Sequence, residues 1–206
     1  MVSTEDALSE HAMPPASPVG RRIIIVGQTC AGKSTLAERL AALMGVPFVE
    51  LDALFWKPGW VESEDDEFCA KISEATDRKA WVVAGGYHRQ TTATIWPRAE
   101  TIIWLDLPVH LTIWRILRRS WSRWRRQELL WGTNYERFWD QLKLWNREES
   151  LIAFTWTTRK QRHERYLAAM SDPQWAHVRF LRLRSPREIE LFSKNLEANL
   201  APSDPG

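Results

Sequence analysis

The sequence predicts an α/β fold, a parallel sheet covered by helices, on three observations. Apolar runs such as Ile23-Ile24-Ile25-Val26, Ala80-Trp81-Val82-Val83-Ala84 and Thr101-Ile102-Ile103-Trp104-Leu105 are short and unbroken, as strands buried on both faces are. Stretches with apolar residues at helical spacing lie between them. A glycine-bearing loop joins the first strand to the first helix, a connection that turns backbone amides toward the C-terminal end of the sheet. The chain of 206 residues is long enough for one well-buried core and short for two, so a single domain is expected over residues 21 to 200.

Composition narrows the class. With 44% hydrophobic and 26% charged residues the chain reads as globular, and a net charge of +2 is too mild by itself to imply a nucleic-acid partner. Two cysteines, Cys30 and Cys69, give neither a disulfide framework nor metal spacing, which fits the cytoplasm. Residues 1 to 20 mix Ser, Pro, Ala and acids without an apolar run for a signal or membrane span and read as a disordered leader; residues 201 to 206 read as a disordered tail.

The first strand opens into Gly27-Gln28-Thr29-Cys30-Ala31-Gly32-Lys33-Ser34-Thr35, which matches G-x-x-x-x-G-K-[ST], the phosphate-binding P-loop. Glycine lets such a loop curl its amides inward, and the following helix N-terminus favours negative charge. Gly27, Ala31, Gly32, Lys33, Ser34 and Thr35 are therefore assigned to ATP, with Lys33 on the terminal phosphates and the Ser34 hydroxyl on Mg²⁺. Leu36 to Met44 continue as a helix that Gly45 stops. Cys30 reads as a small loop residue.

Val46 to Leu51 reads as the second strand, delivering Asp52 to the ligand end of the sheet as a substrate contact or, alternatively, a turn cap. The aromatic turn Leu54-Phe55-Trp56-Lys57-Pro58-Gly59-Trp60 offers Trp56 and Trp60 for stacking on an acceptor or for burial. Ser63 is expected to cap a helix whose first turn is acidic, with Phe68, Ile72 and Ala75 on one face. The third strand ends in Gly85-Gly86-Tyr87-His88-Arg89, where Arg89 suits a phosphate clamp and His88 a general base or a solvated loop histidine. The fourth ends in Asp106, a carboxylate placed as Walker-B carboxylates are, to hold Mg²⁺.

From Leu111 the pattern is helical and basic. Arg115, Arg118 and Arg119 share a face and suit a phosphoryl-transfer lid, the region from about 111 to 170 being a helical Trp/Arg-rich insertion. A plain solvated face with inward tryptophans and a nucleic-acid surface are the alternatives. Trp131, Phe138, Trp139, Leu142, Trp145 and Phe154 are expected packing residues around a break at Gly132-Thr133-Asn134, and Arg159, Lys160 and Arg162 form a second basic group. Val178 to Leu183 alternates as a fifth strand at or near the sheet edge, and Pro186 starts a last helix that packs Ile189, Leu191, Phe192 and Leu196 inward.

Five strand candidates with a P-loop after the first resemble the nucleoside monophosphate kinase branch of P-loop proteins. Leu51 to Trp60, the Gly85 to Arg89 loop and Thr101 to Pro108 look more closely like the adenylate-kinase-like proteins called DNA topology modulation proteins, over about residues 22 to 198. The resemblance implies a P-loop NTPase fold with a five-stranded sheet in the order 2-3-1-4-5. It also implies ATP at the loop, lid arginines at Arg115 and Arg119, and an acceptor-phosphate arginine at Arg89. Ala84 departs from the family's acid before the third-strand loop, which passes the metal-orienting task to Asp106 or Asp52. The expected activity is transfer of the ATP γ-phosphate to a small acceptor, with Lys33, Arg115, Arg119 and Asp106 catalytic and Asp52, Trp56, Trp60 and Arg89 holding the acceptor. A nucleotide-gated DNA-binding regulator and a kinase of a non-nucleotide metabolite are the rivals. No membrane partner is expected, and a monomer or dimer is.

Overall fold

The computed structural model describes residues 19–127, 129–130, 134–135 and 150–200. The expected tail, nearly all of the leader, and Trp131, Gly132, Thr133, Phe138, Trp139, Leu142 and Trp145 lie outside the described residues.

Five strands, β1 (Arg22–Gly27), β2 (Phe48–Glu50), β3 (Trp81–Ala84), β4 (Thr101–Leu105) and β5 (Arg179–Leu183), form one parallel sheet in the order 2-3-1-4-5, as expected. Ile24 pairs with Val83 on one side and Ile102 on the other, so β1 is central and buried on both faces. Its alternate side chains feed two layers. Ile24 and Val26 point into a core with Phe68, Trp81, Trp96 and Tyr166, whereas Ile23 and Ile25 meet Leu36, Leu40 and Phe192. Full burial of a large aliphatic side chain is worth about 1.5–3 kcal/mol. The unbroken β-branched run is thus what makes β1 the axis of the sheet.

Helices α1 (Lys33–Met44), α2 (Leu51–Phe55), α3 (Asp65–Ala75), α4 (His88–Thr94), α5 (Val109–Arg126), α6 (Leu151–Ser171) and α7 (Pro186–Leu200) cover it. Gly45 ends α1 at φ 62°, its amide donating to the carbonyls of Ala41 and Ala42, which is the C-terminal cap its position predicts. Pro186 opens α7, and just before it the Glu188 amide donates to Ser185 Oγ at 3.2 Å. Two antiparallel ribbons stand outside the sheet: Trp56–Lys57 with Val61–Glu62, and Leu129–Leu130 with Asn134–Tyr135.

Several local expectations change. β2 ends at Glu50, because Leu51 and Asp52 already belong to α2; Asp52 therefore projects from a helical turn. Ser63 does not cap α3: Glu64 occupies that position without a side-chain bond, and the buried Ser63 hydroxyl turns to the Leu54 carbonyl at 3.3 Å. Leu191 is 41% exposed because the inward stripe of α7 runs through Phe192 and Leu196. On α5 the buried stripe is Thr112, Ile116 and Ser120, which leaves Trp114 55% exposed and overturns the inward-tryptophan alternative there.

Glu100 staples the start of the sheet. Its carboxylate accepts the amides of Arg21 and Arg22 and the Arg22 guanidinium, the last at 2.8 Å. Burial pushes this carboxyl up, but those donors outweigh it and hold it below the usual glutamate range. A carboxyl depressed on folding adds stability above its unfolded pKa, about 4.3, and loses it as pH falls through the folded value. Glu100→Gln is expected to lower stability by about 1 kcal/mol at pH 7, the partial exposure discounting a charged bond's larger value. Urea unfolding should show the gap between wild type and variant closing toward pH 3.

Candidate active site

The P-loop exists because β1 ends in a residue without a side chain. Gly27 has φ 149°, and a Cβ there would stand 2.6 Å from the Leu105 carbonyl oxygen of β4. The chain then turns through Cys30, at φ 58°, to Gly32, which precedes α1 at φ 99° with no side-chain cap on the helix. The amides of the first turn of α1 thus lack side-chain acceptors, the condition under which a helix end holds an anion.

Lys33 lies beneath this turn, its Nζ donating to the Gln28 carbonyl at 2.9 Å. Burial lowers its pKa, Asp52 works against that, and the nearby guanidinium groups of Arg162 and Arg119 lower it further. Arg115 donates to the Ala31 carbonyl at 3.2 Å and so braces the loop from α5. One turn on, Arg119 Nε is buried without a hydrogen-bond partner. Arg162 of α6 is itself depressed, by burial first and by Arg165. Several cations therefore converge on the loop, and Asp52 is the carboxylate that opposes them at Lys33.

Two carboxylates stand at the end of β2. The Ser34 hydroxyl donates to Glu50 Oε1 at 2.8 Å, so the hydroxyl assigned to Mg²⁺ already has an acid beside it. Glu50 was absent from the sequence expectations because it reads as an ordinary strand residue; only the position of its side chain across from α1 reveals it. Asp52 accepts a hydrogen bond from Tyr87 Oη at 2.8 Å.

Other expected site residues sit differently. Asp106 does lie at the mouth of the sheet, but Arg182 of β5 donates to its Oδ2, from Nε at 2.9 Å, and His163 Nδ1 faces its Oδ1 at 3.4 Å. Its charge is matched by an arginine that stacks 4.6 Å from the Trp104 ring, so it serves a polar cluster joining β4, β5 and α6. Arg89 pairs with Asp65 at 2.9 Å and its side chain is 83% exposed, turned to the solvent side of α4. The cation beside the Gly85-Gly86 loop is Arg162, whose Nη1 would lie 3.5 Å from a Cβ on Gly86. The second basic group of the sequence contained it. His88 packs against Trp96 and Tyr166, and burial, with Arg165, pushes it down to about 4. It is a neutral core histidine near pH 7.

Trp56 and Trp60 pack edge to face at 5.5 Å. The turn they flank is held by Asn134, which accepts the Trp60 amide at 2.9 Å and donates to the Lys57 carbonyl at 3.2 Å. A pocket opens between Gly27, Gln28 and Asp106 on one side and Arg159, Arg162 and His163 of α6 on the other.

No protein-family model matches the sequence. It is 29% identical to a shikimate kinase of Paramagnetospirillum magneticum over 131 residues, 56% of this chain and 66% of that one. It is 32% identical to the ATP-dependent protease ATPase subunit HslU of Persephonella marina over 59 residues, 28% of this chain and 13% of that one. The chain thus spans less than two thirds of the length of either curated relative. A solved gluconokinase from Sinorhizobium meliloti aligns over 90% of this chain and 94% of its own, at 18% identity and a TM-score of 0.47. The sheet order and the loop after β1 give this chain an α/β fold of the P-loop type. No helix among the described residues is long and apolar enough to cross a membrane.

A buried ammonium close to like charges opposes folding until an anion arrives. Lys33→Met is therefore expected to melt no lower than wild type without ligand and not to show the rise in melting temperature expected of wild type with ATP. That rise corresponds to about 2.7 kcal/mol at a hundred times Kd, and calorimetry with and without ATP checks it.

Proposed function

We propose that this chain is an ATP-dependent phosphotransferase that moves the γ-phosphoryl group to a hydroxyl of a small acceptor. The observation that carries the reading is the convergence of Lys33, Arg119 and Arg162 at the loop, with Arg119 Nε buried and unpartnered. Phosphoryl transfer is catalysed mainly by positioning and by cations placed where oxygen charge spreads, and this arrangement has that form. The likeness to a shikimate kinase supports a small metabolite as acceptor over a nucleotide. The Phe55-Trp56-Lys57-Pro58-Gly59-Trp60 turn supports placement near the DNA topology modulation branch of adenylate-kinase-like proteins. The two cysteines, Cys30 and Cys69, both free thiols, suit a reducing cytoplasm.

In this reading Gly27, Ala31, Gly32, Lys33, Ser34 and Thr35 hold the triphosphate through amides and the ammonium. Ser34 and Glu50 fit Mg²⁺, a hard oxygen-ligand pair held together in advance. The metal, when bound, neutralises charge on the phosphate oxygens. Arg115 keeps the loop in shape, and Arg119 and Arg162 cover the transferred group. Asp52 takes the proton of the acceptor hydroxyl as its oxygen bonds to the γ-phosphorus. The bond to the β-phosphate oxygen breaks, and Lys33 takes up the charge left there. The Trp56 and Trp60 turn walls the acceptor side.

A DNA-binding regulator is the second reading, favoured by the six arginines, the lack of acids and the exposed Trp114 of α5. Duplex affinity falling steeply and linearly in log salt would support it over the kinase.

Thermal-shift screening with ATP and Mg²⁺ against nucleotides, hydroxy acids and sugars should find the acceptor, and ADP release should confirm transfer. Arg119→Ala is expected to lower kcat on the order of 10²-fold while changing ATP affinity by less than about threefold. Turnover undiminished in Lys33→Ala would overturn the kinase reading.

A further inference from the structure

We infer that Tyr87, through the bond from its hydroxyl to Asp52, is a positioning residue that points one oxygen of Asp52 at the acceptor hydroxyl; this rests on the reading of Asp52 as the acceptor-facing base. Tyr87 follows the Gly85-Gly86 loop, and its ring lies 4.6 Å from Phe55 and 4.9 Å from Phe68. A phenol hydroxyl among such rings must find partners, and it has one proton and two lone pairs to place. The Tyr87 hydroxyl gives its proton to Asp52 Oδ1, 2.8 Å away.

An ionised carboxylate only accepts, so the bond from Tyr87 to Asp52 has one direction. Burial first, and then the Asp52 charge, raise the Tyr87 phenol far above its ordinary range, so it remains a donor wherever the protein is folded. With Oδ1 occupied, the carboxylate is held against rotation on the short helix α2, and Oδ2 is the oxygen left for a ligand. The same loop sets the geometry on its other flank. Gly85 donates to the Ile25 carbonyl at 3.2 Å, and a Cβ on Gly85 would strike the Leu51 side chain at 2.6 Å. Close approach of this loop to α2 is what brings the tyrosine onto Asp52.

The test uses the full chain with Tyr87→Phe, Asp52→Asn and the Tyr87→Phe/Asp52→Asn double variant. Proton NMR should show a slowly exchanging, downfield Tyr87 hydroxyl resonance that vanishes in Tyr87→Phe and moves in Asp52→Asn. For turnover the probe is ATP hydrolysis with water as acceptor, and for binding a non-hydrolysable ATP analogue. Tyr87→Phe should cut hydrolysis about tenfold, leave analogue affinity within about twofold, and cost nothing more in the Asp52→Asn background. A hydroxyl resonance indifferent to Asp52→Asn overturns the inference whatever the rates. Hydrolysis slowed by Asp52→Asn but not by Tyr87→Phe, or losses that simply multiply, overturn it alone. Hydrolysis unaffected by Asp52→Asn overturns the reading of Asp52 as base and this inference with it.

Discussion

The arrangement depends on holding an ammonium group out of water beside other cations. Burial and the guanidinium groups of Arg162 and Arg119 both disfavour charge on Lys33, and Asp52 is the carboxylate that opposes them. Such a cluster survives only on a rigid support. Here the support is the central strand β1, whose side chains are buried in both layers, and a glycine that lets its end lie against the Leu105 carbonyl. The cost of gathering these charges is offset by the core behind them, and an arriving anion releases it.

From that constraint the roles of the surrounding helices follow. α1 presents its uncapped amides, α5 braces the loop through Arg115, and α6 brings Arg162 to the Gly86 side. The long helices of the arginine-rich region thus reach the loop with cations from two directions. Asp106 is taken into a separate cluster with Arg182 and His163. That cluster ties the edge strand β5 to α6, so the helix that carries Arg162 is fixed to the sheet a single residue further on.

The sheet and the loop could be read from the chain because their signals are local. Ile23 to Val26 can bury both faces only in the middle of a sheet, and the spacing of Gly27, Gly32 and Lys33 needs no distant partner to be recognised. The rest of the site depends on contacts between residues far apart in sequence. Glu50 gains meaning from Ser34 across the β2 to α1 gap, Asp106 is changed by Arg182, and Arg89 points away because Asp65 draws it to α3. Arg89 and Arg162 are chemically alike in the sequence. Only the packing of α6 over the glycine loop decides which one lies beside it.

Asn134 has a further effect through its carboxamide. It gives and receives one bond each with the backbone of the 57–60 turn. An aspartate there would set a second oxygen against the Lys57 carbonyl, and an aliphatic residue would strand both backbone groups, so the position demands an amide. Asn134 thereby fastens the ribbon of Leu129–Leu130 and Asn134–Tyr135 to the aromatic turn that carries Trp56 and Trp60.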